Sequence, residues 1–194
     1  MSLNVLIIAE DYRNDQYILK PIVSSMLESV GKPNANVRVC RDPMIGGVED
    51  ALAPETIEDV ISTNPLFDLY LLLVDRDADP NRHERLDEAE DTADAHTRPT
   101  QAFLGGQAHQ EVEVWLLAGQ NDLPTEWNWN AVRRDPQPKE RYYEPYAEQK
   151  TLTNSPGGGR KPLGQTAGAN YTARVRPLCD EVQDLEERVA VTVA

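Results

Sequence analysis

Leu69-Tyr70-Leu71-Leu72-Leu73-Val74 is an unbroken apolar run that passes directly into Asp75-Arg76-Asp77-Ala78-Asp79. A run this short and continuous, set behind Asn64-Pro65, predicts a central strand buried on both faces. In an open α/β sheet, chemistry sits just beyond the carboxyl ends of such strands. Asp75 then closes the strand, and Asp77 and Asp79 follow on the loop. Carboxylates this close repel one another and raise each other's pKa unless a cation neutralises them. An all-oxygen donor set suits a hard divalent ion, Mg²⁺ or Mn²⁺. The alternative is a solvated acidic loop that caps the next helix.

Asn4-Val5-Leu6-Ile7-Ile8-Ala9 is a second buried-strand pattern, and it too ends in acids, Glu10-Asp11. Asp15 is the expected N-cap of a helix running to about Val30, with Ile18, Leu19, Ile22, Val23, Met26 and Leu27 at helical spacing and Gly31 and Pro33 as its stop. Val37–Cys40 alternates as a more exposed strand. Pro54 opens a helix through Ile57, Val60 and Ile61. Residues 81–95 form a charged surface helix with Leu86, Ala89 and Ala93 as its apolar stripe. Phe103-Leu104-Gly105-Gly106 reads as a fourth strand, and 110–118 as a buried helix closed by Gly119. Helices are also expected after Pro138 and over 171–189, with Ser155–Gly159 as a flexible turn. Alternating strands and helices give a mainly parallel sheet. The organisation expected is an α/β core over residues 1–125 and a less regular, basic extension over 126–194 that packs on it.

The chain carries a net charge of −14, which opposes non-specific nucleic-acid binding by its whole surface. The charge is unevenly spread: Ala131–Arg176 is +5 and the remainder −19. An acidic body with a basic C-terminal third suits metal in one part and phosphate in the other. Cys40 and Cys179 make neither a disulfide framework nor a CxxC site. No apolar run approaches the roughly 18–20 residues of a membrane span, so a cytoplasmic protein with no membrane partner is expected. His83, His96 and His109 show no metal-ligand spacing, His109 being the best placed of the three. Trp127 and Trp129, in an Asn-rich stretch, are the aromatic candidates for base contact.

Glu10 after the first strand, Asp75-Arg76-Asp77 after the third and a downstream acid together resemble the TOPRIM fold of topoisomerases, primases and the nuclease domains of OLD-family ATPase-linked endonucleases. Glu113-Val114-Trp115-Leu116-Leu117-Ala118 is similar to a Glu-x-Trp-Leu-Leu segment in a family of small stand-alone TOPRIM-like bacterial proteins, and Pro138-Lys139 to a Pro-Lys segment there. The resemblance covers roughly residues 3–150. One departure is Asp11, which stands where TOPRIM domains often have glycine. The resemblance implies Glu10, Asp75, Asp77, Asp79 and Glu113 as ligands of one or two Mg²⁺ or Mn²⁺ ions. It also implies Glu10 as a general acid/base, and Lys139 as a cation that stabilises the transition state of phosphodiester cleavage. Arg133, Arg134 and Arg141 would then contact the backbone of nucleic acid, DNA before RNA. The setting implied is bacterial genome defence or repair. The chain has no GxxxxGK[ST] of its own, so a separate ATPase subunit is the implied partner.

Two further readings stand beside this one. A receiver domain also places acids after its first strand and an aspartate after its third, and it would accept a phosphoryl group on Asp75. The 65 residues between Glu10 and Asp75 exceed receiver spacing. In the other, the chain is a non-catalytic or partner-activated subunit whose acids are structural.

Overall fold

The computed structural model describes residues 2–194. Four strands, β1 (Asn4–Ala9), β2 (Asn36–Val39), β3 (Leu69–Asp75) and β4 (Ala102–Ala108), form one sheet in the order β2-β1-β3-β4. Every pairing is parallel, as strands joined through helices require. The two most apolar strands are therefore the two central ones. β1 buries five of its six residues and β3 six of its seven, so neither shows the alternation of a one-sided strand.

Helices cover both faces. α1 (Tyr12–Ser29) lies on one, and α2 (Val48–Ala51), α3 (Pro54–Thr63) and α4 (Arg82–Asp94) lie on the other. The N-cap of α1 is Asp11, not Asp15. The helix starts immediately after the strand-end acid, and the Asp11 side chain accepts from Arg13 N at 3.0 Å. Asp15 sits one turn in and accepts from Asp11 N at 3.2 Å. Gly31, at φ 81°, makes the left-handed exit that a side chain would oppose.

The C-terminal half is helical: α5 (Glu113–Ala118), α6 (Trp129–Arg134), α7 (Glu144–Gln149), α8 (Arg160–Ala169), α9 (Arg176–Leu178) and α10 (Asp180–Thr192). Val132, Leu163, Val175 and Val189 from these helices share one apolar cluster with Val5, Ile7 and Leu71 of the sheet. α8 is not visible as an apolar stripe because small residues carry its packing. A Cβ on Gly164 would stand 1.9 Å from Tyr17 O of α1, and one on Gly168 2.9 Å from Pro21 O. Pro21 has no N–H to give to the Tyr17 carbonyl four residues back. Gly164 packs against that carbonyl, where a side chain has no room.

The expected helix over 171–189 is broken. A π-helical turn over Tyr171–Val175 leads into α9, and Cys179 is extended before α10 begins. A second π turn, Lys139–Tyr143, precedes α7. Each lies just ahead of a proline, Pro177 or Pro145, whose missing N–H removes one i→i−4 bond. The outer edge of β4 is closed by side chains. At its middle, Glu90 accepts from Gly105 N at 2.6 Å and Arg188 donates to Gly105 O at 2.9 Å, which takes both backbone groups that a further strand would pair there.

Candidate functional site

β1 and β3 are neighbours in register, so the residues at their carboxyl ends meet. Glu10 follows β1 and its Oε1 accepts from Asp75 N at 2.7 Å. Asp75 closes β3 and its Oδ1 accepts from Val112 N at 2.8 Å, on the turn that enters α5. The same edge receives Asp15 from the first turns of α1, and Glu111 and Glu113 from the start of α5. Glu111 Oε2 accepts from Lys139 N at 2.9 Å. Each of Glu10, Asp15, Asp75 and Glu111 thus uses one oxygen on a backbone N–H. Its second oxygen has no protein partner among the described residues and is not sealed from solvent.

The electrostatics follow from that crowding. Burial pushes the Glu10 carboxyl up to about 7, with Asp77 adding to the rise and the Asp75 N–H and Arg82 opposing it. Burial and then Glu113 push Asp15 up to about 7. Asp75 lies well above the carboxylate range, first through burial and then through Glu10, Glu113 and Asp15. Glu111 also rises to about 7 through burial, Glu113 and Glu140, against the Lys139 N–H. Desolvation first, and then neighbouring carboxylates, raise all four pKa values.

Glu113 has a different surrounding. Only 4% exposed, it takes Nε (3.1 Å) and Nη2 of Arg160 on Oε1. Arg160 also donates to Gly157 O at 2.9 Å and lies 4.7 Å over the Tyr143 ring. A buried guanidinium from the glycine-rich turn ahead of α8 therefore locks the C-terminal half to the acidic edge. Arg82, 3% exposed in the first turn of α4, is the cation facing Glu10. Among the described residues its Nε and Nη1 have no hydrogen-bond partner, and its one ion pair is to Asp79 at 3.7 Å.

Asp77 is exposed, and it and Ala78 are consecutive residues with positive φ, 52° and 55°. Such a pair is costly unless braced. Gln110, itself at φ 73° and buried, supplies the brace: its O accepts from Asp77 N (3.1 Å) and its Oε1 from Ala78 N (2.9 Å). The Asp79 side chain turns back to accept from Asn81 N at 2.9 Å. Lys139 is half-buried and reaches the site through its backbone.

The structure thus gathers Glu10, Asp75 and Glu113 at one edge, with Asp77 on the adjoining loop and Asp79 in the turn into α4. Asp15, expected as a helix cap, joins them, as do Glu111, Gln110, Arg82 and Arg160, none of which was read as a site residue in the sequence. Asp15 was accessible there, as an acid five residues after Glu10, whereas Arg160 gives no sign beyond following three glycines. Among the cations expected to meet nucleic acid, Arg133 pairs with Glu181 and Asp180, Arg141 pairs with Asp135, and Arg134 is exposed with no ion pair among the described residues. Trp127 packs edge-on to Tyr142 with ring centres 5.0 Å apart, and Trp129 Nε1 donates to Leu178 O at 3.1 Å. Both indoles are half-buried against the core.

The donor chemistry fits a hard divalent cation: carboxylate oxygens, half of them unpartnered, in a field that resists their ionisation. Their present spacing does not: among the described residues no group of three or more His, Cys, Asp or Glu side chains is placed to hold a metal ion. No helix among them is long and apolar enough to cross a membrane. No protein-family model, curated protein or solved structure matches the chain.

Proposed function

We propose that the chain is a TOPRIM-like, divalent-cation-dependent phosphodiesterase that acts on nucleic acid in the cytoplasm, DNA before RNA, in genome defence or repair. The observation that carries this reading is the meeting of Glu10 and Asp75 at the ends of the two central strands. Each has a free oxygen and each is held above the ordinary carboxylate range. Glu10, Asp75, Asp77 and Asp79 would hold Mg²⁺ or Mn²⁺, whereas Glu113, expected in that set, has its Oε1 taken by Arg160. When bound, the ion supplies Lewis acidity toward a phosphoryl oxygen and relieves the repulsion among the carboxylates.

The chain's own residues supply the rest. Glu111, near pH 7 in its titration, is matched to taking a proton from an attacking water at neutral pH. Lys139 adds positive charge for the phosphoryl oxygens. Gln110 fixes the Asp77 loop, and Arg160 orients Glu113. The net charge of −14 favours a partner, such as a separate ATPase subunit, that adds affinity for the polyanionic substrate.

The test incubates wild type and Asp75→Ala/Asp77→Ala with plasmid DNA and with labelled RNA, in Mn²⁺, Mg²⁺ or EDTA. Metal-dependent cleavage that disappears in the variant is the expected result. A metal-induced rise in Tm without cleavage makes the chain a partner-activated subunit. Uptake of phosphoryl from acetyl phosphate on Asp75 makes it receiver-like. No response of wild type to either metal overturns the proposal.

A further inference from the structure

Beside the carboxylates, at the end of β4, a second cluster carries the opposite charge. Arg76 Nη1 and His109 Nδ1 are 3.3 Å apart. A guanidinium can only donate, so Nδ1 accepts and the imidazole is neutral with its proton on Nε2. Burial first, and then Arg133, Arg76 and Arg134 against Glu181, hold the His109 pKa down. Arg133 shares the Glu181 carboxylate with the His109 N–H, and Arg134 is its neighbour in α6. Nε2 of His109, and Nε and Nη2 of Arg76, have no protein partner among the described residues and are not sealed from solvent. Arg134 is exposed and without an ion pair among the same residues.

Glu181 of α10 organises this cluster. Its Oε1 takes Trp115 Nε1 at 2.9 Å and His109 N at 3.3 Å, and its Oε2 takes Arg133 at 2.5 Å. Arg133 is thereby a strut, 17% exposed, and the donors left over belong to Arg76, His109 and Arg134. The ledge is tied to the acidic edge by backbone: Arg76 N donates to Ala108 O at 3.2 Å, and Asp77 N to Gln110 O at 3.1 Å.

We infer that Arg76, His109 and Arg134 form a phosphate-docking ledge that seats one backbone phosphate of a nucleic-acid strand next to the carboxylates. A forked guanidinium, a neutral N–H donor and a second cation suit an anionic tetrahedral group with several acceptor oxygens. This rests on the nucleic-acid reading above, and it makes the chain between β3 and β4 contribute both charges of the site.

The experiment measures binding of a fluorescently labelled single-stranded DNA by polarisation, in EDTA and at several salt concentrations. Wild type, Arg76→Gln, Arg134→Gln, Arg76→Gln/Arg134→Gln and the control Lys161→Gln are compared. Each ledge arginine removed should weaken binding by about 3–10-fold and lower the salt slope by about 0.7, with Lys161→Gln unchanged. Arg134 is exposed, so its variant stays folded and keeps the test decisive if Arg76→Gln is unstable. Wild type that does not bind, ledge variants that bind like wild type, or polyglutamate that competes as well as DNA would each overturn the inference. Binding in EDTA without metal-dependent cleavage leaves the ledge standing and removes the nuclease. Cleavage with unaltered binding in the ledge variants does the reverse.

Discussion

Two sets of buried carboxylates in this chain have opposite surroundings. Glu186 in α10 is 7% exposed and fully provided for. Its Oε2 accepts from Ser29 Oγ (2.6 Å) and Tyr171 OH (2.8 Å), and Arg176 Nε stands 2.6 Å from Oε1. Glu113 has its guanidinium in Arg160. Glu10 and Asp75, at the ends of β1 and β3, accept hydrogen bonds only from backbone N–H groups among the described residues, and Arg82 faces Glu10 without an ion pair to it. A buried acid with a cation and neutral donors joins elements together. A buried acid that faces other acids costs stability, and such clusters persist where a ligand or a reaction uses them. The contrast separates structural acids from candidate functional ones within one molecule.

Removing the cation from the first set should have the largest effect. Arg160→Gln leaves Glu113 buried and uncompensated beside Asp15 and Asp75, and should lower stability by about 3–5 kcal/mol at pH 8 by urea unfolding. The loss should shrink at pH 5, where the neighbouring acids are protonated. An equal loss at both pH values would place the effect in packing against Tyr143. Glu186→Ala strands the Tyr171 and Ser29 hydroxyls but leaves a half-exposed Arg176, so about 2–3 kcal/mol is expected, with Tm lower by roughly 5–10 °C.

In the second set the sign reverses. Asp75→Asn keeps an oxygen for Val112 N and removes one charge from the cluster. It should raise stability by about 1 kcal/mol at pH 8. A destabilised Asp75→Asn would mean that this acid is structural, like Glu186. The pH slope reads the cluster as a whole. Glu10, Asp15 and Glu111 have folded-state pKa values near 7 against ordinary values of 4.5, 3.8 and 4.5. Between about pH 4 and 7 the folded state therefore holds more protons than the unfolded one, and stability falls as pH rises through that window. Unfolding measured at pH 5 and pH 8 should show the decline, flattened in Asp75→Asn.

The sheet was legible because β1 and β3 are continuous apolar runs, which leave few alternatives, and their strand-end acids came with them. The C-terminal half was less so. α8 packs through Gly164 and Gly168 and therefore shows no apolar stripe, and Pro177 divides what helical spacing joined. The excess of basic residues over 131–176 was legible as charge but not as pairing. Four of the nine pair with acids outside that segment: Arg133 with Glu181, Lys150 with Asp122, Arg160 with Glu113 and Arg176 with Glu186. Which acids share the site depended on register and helix placement. Asp15 and Glu111 join Glu10 and Asp75 only once α1 and α5 are set on the sheet.

The most direct test of the central claim is calorimetric titration of wild type and Asp75→Asn with Mn²⁺ at pH 6.5, repeated in two buffers of different ionisation enthalpy. Wild type should bind Mn²⁺ and release protons as its raised carboxyls ionise, and Asp75→Asn should lose both. Mn²⁺ binding that is absent in wild type, or equal in the variant, would contradict the account and leave the acidic edge without a ligand.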